Sequence, residues 1–149
     1  MGAARSEAVE ALLTACQRIQ SKQGRLDATP IAKGLESGSP ETRTALLAIC
    51  SGLIDGGIRT QLRNALHDSD ANVRNAADRT LCDTIDPDLL PDVVKLAMDA
   101  PENNLRTLAL GGCVRLLTQE EKVNLSNSER VRIFRDILID NRPWLSYFA

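Results

Sequence analysis

Aromatic residues are scarce: one Trp, one Tyr and two Phe make up 3% of the 149 residues. Base-stacking platforms and aromatic cages need more than that. Histidine is scarcer still, with His67 alone. The four cysteines, Cys16, Cys50, Cys82 and Cys113, stand far apart. They form no C-x-x-C and no Cys/His pair at zinc spacing, so no metal and no cofactor is expected. Positive charge is not in excess, because 18 Lys and Arg face 20 Asp and Glu for a net −2. Nucleic acid is therefore disfavoured as a partner. No apolar run is long enough to span a bilayer. The segment MGAARSEAVEALLTACQRIQ, with Glu7 and Glu10, reads as an amphipathic helix rather than a signal peptide. A cytoplasmic location is the expectation. A Gly-rich phosphate loop, an H-E-x-x-H and a nucleophile elbow are also missing, and no catalytic residue is expected.

What the chain does have is a repeat. In DSDANVRNAADRTL, residues 68–81, two acids precede Val73-Arg74, then Ala77 and Leu81. Arg43, in SGSPETRTALLAIC, lies 31 residues before Arg74, and Arg106, in APENNLRTLALGGC, lies 32 after it. A helix-start signal precedes each arginine: Ser39-Pro40-Glu41, Asp70, and Pro101-Glu102. A cysteine follows each by seven or eight positions: Cys50, Cys82 and Cys113. Self-similarity at this period is the mark of stacked helical hairpins.

Each hairpin is legible in outline. The first helix of the second hairpin is expected over about 40–54, capped by Ser39 and stopped by Asp55-Gly56-Gly57. Its partner is expected over about 58–67, with Ile58, Leu62, Ala65 and Leu66 on one face. The third hairpin pairs about 71–85 with about 88–98, broken at Asp86-Pro87. Pro91 competes with Pro87 for the start of that second helix. The first hairpin pairs Ser6–Ile19 with a short helix from Pro30 to Glu36. In the fourth, Glu102–Leu117 precedes two capping-box sequences, Thr118-x-x-Glu121 and Ser126-x-x-Glu129, the latter opening the last helix.

The pattern Leu62…Ala65-Leu66-x-Asp68-x-Asp70-x-x-Val73-Arg74-x-x-Ala77-x-x-x-Leu81 resembles the HEAT-repeat consensus in its bacterial variety. The likeness covers about residues 30–117 and is weaker at both ends. It implies an all-α fold, a right-handed α-solenoid of about four hairpins, 5–37, 39–67, 70–98 and 101–140, followed by an aromatic tail, 141–149. It also implies that Arg43, Arg74 and Arg106 form a structural ladder between units, bonding neighbouring acids or helix-end carbonyls. Asp68 and Asp70 fit that role for Arg74.

HEAT arrays serve as scaffolds and regulatory subunits, and some are enzymes, bilin lyase/isomerases and alkyl-base DNA glycosylases among them. With no catalytic constellation in view, the reading is a non-enzymatic scaffold that binds a protein through its concave face. In such hairpins the second helices line that face. Lys33, Arg59, Arg63, Lys95, Arg132 and Arg135 lie on them as partner-binding candidates, suited to an acidic peptide. Trp144, Tyr147 and Phe148 crowd three of the four aromatics into the tail, either as a lid on the last hairpin or as an anchor for a partner. A piece of a longer repeat protein is a further reading. The cysteines are expected to be small core residues, His67 a helix-end residue, and Gly111-Gly112 a site of close packing.

Overall fold

In the computed structural model, residues 28–119 and 125–140 are described. Every regular element among them is helical. Contacts divide the chain into two compact units, with the division between Ala77 and Asp78. The expected helix Ser6–Ile19, Cys16, Glu121 of the first capping box and the tail aromatics Trp144, Tyr147 and Phe148 lie outside the described residues.

In the first unit, α1 (Thr29–Ser37) begins with Pro30 in its first turn, where a missing N–H is harmless. Helix α2 (Pro40–Cys50) is capped by Ser39, whose Oγ accepts from the Thr42 amide at 3.3 Å. It stops at Cys50, four residues short of the expected end, in a turn closed by Leu53 N–H to the Cys50 carbonyl at 2.9 Å. Asp55 then reverses its expected role. Its carboxylate accepts from the Ile58 amide at 2.9 Å, so Asp55 opens α3 (Gly56–Ala65) instead of closing α2. The two glycines fall within the first turn of α3. An N-cap carboxylate satisfies an orphan N–H and meets the positive end of the helix dipole. Asp70 does the same for α4 (Ala71–Asp83), accepting from Asn72 and Val73 at 2.8 and 3.2 Å. Helix α1 packs against α2 and α3. Ile31 and Leu35 supply its stripe, and Ile58, Leu62 and Ala65 supply that of α3.

In the second unit, the competing prolines divide the work. Asp86 caps a 3₁₀ turn at Pro87–Leu89, and Pro91 sits in the first turn of α5 (Leu90–Asp99). Helix α6 runs Asn103–Leu117 and α7 runs Asn127–Asp140. The Ser126–Glu129 capping box closes in both directions: the Glu129 amide donates to Ser126 Oγ at 3.3 Å, and the Ser126 amide donates to Glu129 Oε2 at 2.8 Å. The Ser126 hydroxyl, donating to the same oxygen at 2.7 Å, and the Ser126 amide draw the Glu129 carboxyl below its ordinary value, the hydroxyl contributing most. Helix α5 packs against α6 and α7 through Leu90, Val93 and Ala97. No helix among the described residues is long and apolar enough to cross a membrane.

Candidate functional site

Arginine recurs at one helical position. It stands four residues after the cap in α2 (Ser39, Arg43), α3 (Asp55, Arg59), α4 (Asp70, Arg74), α6 (Glu102, Arg106) and α7 (Ser126, Arg130). Each of these arginines donates its amide to the cap carbonyl, at 2.8–3.1 Å. A side chain there points back over the turn it came from. The guanidinium can therefore reach the strand of chain that enters its own helix.

Three of them do so. Arg74 donates to the carbonyls of Asp68 and Ser69 at 2.7 and 2.9 Å. Arg106 donates to the Ala100 carbonyl at 2.6 Å. Arg130 donates through Nε to Leu125 at 3.1 Å, and through a terminal nitrogen to the Leu117 carbonyl. Arg43 differs: it pairs with the carboxylate of Asp68. Of the partners expected for Arg74, neighbouring acids or helix-end carbonyls, it takes carbonyls, that of Asp68 among them. The Asp68 carboxylate goes to Arg43 and the Asp70 carboxylate to helix amides, while Arg74 takes carbonyls. Asp68 becomes a hub. Its carboxylate binds Arg43 and the Asp70 amide (2.9 Å), and its carbonyl binds Arg74. It ties α2 to the start of α4.

Beside this hub is an open cleft of about 190 Å³, lined by Leu35, Glu36, Arg43, Gln61, Asn64, Ala65 and Asp68. It brings two ladder residues together with three polar residues that were not expected at a site: Glu36, Gln61 and Asn64. Their signal was their spacing. Gln61, Asn64 and Ala65 share one face of α3. The side chains of Gln61 and Asn64 face each other at 3.4 Å.

The partner-binding candidates fall into both units. Lys33, Arg59 and Arg63 belong to the first, and Lys95, Arg132 and Arg135 to the second. Arg59 is half-buried and the other five are exposed. Arg135 bonds its neighbour Asp136 at 3.2 Å, and Arg132 lies near enough to Glu129 to lower its carboxyl.

Cys50, Cys82 and Cys113 are free and buried. Burial pushes the Cys82 thiol up to about 12, with Asp78 and Asp83 adding to it, and the Cys113 thiol up to about 11. Such thiols hold their protons and pack as small apolar groups. No group of three or more His, Cys, Asp or Glu side chains that could hold a metal ion occurs among the described residues. No family model, no curated protein and no solved structure matches the chain.

Proposed function

We propose that the chain is a non-enzymatic scaffold, a right-handed solenoid of HEAT-like hairpins that binds a protein partner in the cytoplasm. The observation that carries this reading is the recurrent cap-and-arginine position. Of the five, Arg43, Arg74, Arg106 and Arg130 are engaged with backbone carbonyls or with Asp68, which supports a structural role for them. Packing of α1 on α2 and α3, and of α5 on α6 and α7, supports consecutive stacking in each unit. The exposed cations of the second helices, Lys33 and Arg63 in the first unit and Lys95 in the second, are the partner-binding candidates. An acidic peptide is the complement.

The test is affinity capture from a lysate of the source organism, comparing the native chain with Arg63→Glu/Lys95→Glu. The expected result is a protein retained by the native chain, released by moderate salt and absent with the variant. Equal capture by both chains would move the interface off these helices.

A further inference from the structure

We propose that the cleft among α1, α2 and α3 takes a single cationic side chain, a lysine or arginine of a partner polypeptide. The inference stands on the cleft's own geometry and goes beyond the basic second-helix surface.

Size sets the first limit. About 190 Å³ has room for one long side chain, and falls short of the roughly 300 Å³ at which sites for larger small molecules begin. Charge sets the second. The lining contains two carboxylates, Glu36 and Asp68, against one guanidinium. That guanidinium is already paired with Asp68, and its Nε is sealed from solvent. Arg43 therefore offers little to an incoming anion, whereas Glu36 is exposed on the rim. An anionic ligand would meet the rim carboxylate of Glu36, the Asp68 carboxylate being paired with Arg43.

The neutral lining points the same way. Leu35 and Ala65, both buried, leave a small apolar edge for the methylenes next to a lysine or arginine head group. Gln61 and Asn64 carry carbonyl oxygens, which accept from an ammonium or guanidinium. A small apolar edge, amide acceptors and a rim carboxylate together match an amphipathic cation. A free diamine shares the head-group chemistry but brings a second charge.

The experiment is a ¹H–¹⁵N NMR titration of the full chain with three probes: Nα-acetyl-lysine amide, putrescine and Nα-acetyl-glutamate amide. The lysine probe is expected to shift the side-chain amides of Gln61 and Asn64 and the backbone of Glu36 along one saturable curve. The millimolar range is expected of a ligand this small. Glu36→Gln should weaken it about three- to fivefold, and Asp99→Asn, an exposed acid in the other unit, should leave it unchanged. Absence of a saturable shift overturns the proposal, as does an equal response to the glutamate probe. Equal weakening by both variants overturns it too, by reducing the effect to general surface charge. Saturation by putrescine alone would replace the polypeptide side chain with a free diamine. None of these outcomes bears on the scaffold reading, which is tested at Arg63 and Lys95.

Discussion

The two units solve one problem with different materials. Each places an arginine four residues after a helix cap. In the first unit, Arg43 meets a carboxylate 25 residues away, and Asp68 gathers two arginines at one residue. In the second, the guanidiniums of Arg106, Arg115 and Arg130 meet backbone carbonyls. The surfaces differ as well. The exposed large hydrophobic residues among those described, Ile85, Met98, Leu108, Val114 and Val131, are all in the second unit. The first unit thus holds its elements by a polar hub and exposes none of its described large apolar side chains fully. The second relies on close backbone approach. A Cβ on Gly112 would come within 2.7 Å of the Cys82 carbonyl oxygen and 3.1 Å of Val93. Charge repetition along a chain therefore says where a clamp is, and not what it clamps.

The sharpest way to break the second unit alone is Gly112→Ala. Backbone cannot move aside as a flexible side chain can, so a loss of about 2–3 kcal/mol is expected from urea denaturation. A mutant as stable as the native chain would remove close approach as the organising contact. Next comes Arg43→Ala, which should cost about 1–2 kcal/mol by leaving a half-buried carboxylate without its counter-ion. Added salt should narrow that deficit and leave the deficit of Arg106→Ala nearly unchanged, because only Arg43 faces a full opposite charge. Identical salt responses would erase the distinction between the units.

Gly111→Ala should act in the opposite direction from its neighbour. Nothing lies within 4 Å of the added carbon, and helix propensity then favours alanine by about 1 kcal/mol. A smaller effect concerns the thiols. Cys82 is raised from 9.0 to about 12, so the unfolded chain releases its proton first. Stability should fall as pH rises above 9.0, and Cys82→Ala should flatten part of that fall in urea midpoints. The smallest change is Ser126→Ala, which removes the hydroxyl side of one capping box and leaves the backbone amide at 126 donating to Glu129. It should fray the start of α7 in far-UV circular dichroism. Because Glu129 is lowered below its ordinary value, the native cap contributes above that value and is lost as pH falls through the folded one. A pH-independent α7 signal would contradict it.

Much of this was readable in the residues. The stripe Ile58, Leu62, Ala65 and the caps Ser39, Asp70 and Asp86 follow from helical spacing and side-chain chemistry, both local matters. Asp55 was harder. Asp-Gly-Gly is equally good grammar for a stop or a start, and only the early turn at Ser51-Gly52 decides between them. Arg130 escaped because the repeat was sought at 31–32 residues, between the first helices of hairpins, and Arg130 lies on the described helix directly after α6, 24 beyond Arg106. Counted from its cap instead, it stands in the same position as the rest. Beyond the shared face of Gln61 and Asn64, the cleft was not legible. Glu36, Gln61 and Asp68 belong to three separate stretches, and only packing brings them together. Gly111 and Gly112 looked alike as letters, yet one faces open space and the other a carbonyl.

The reach of the latches has a consequence for how the chain folds. Arg74 and Arg106 close on carbonyls only five or six residues behind them. Loops that short close at small entropic cost and on submicrosecond times. A nascent helix of this kind can set its own entry before any other hairpin exists. Arg43 must wait for Asp68, 25 residues on. Emerging from a ribosome, α4 and α6 would be clamped as soon as their first turns formed, and α2 only once α3 had been made.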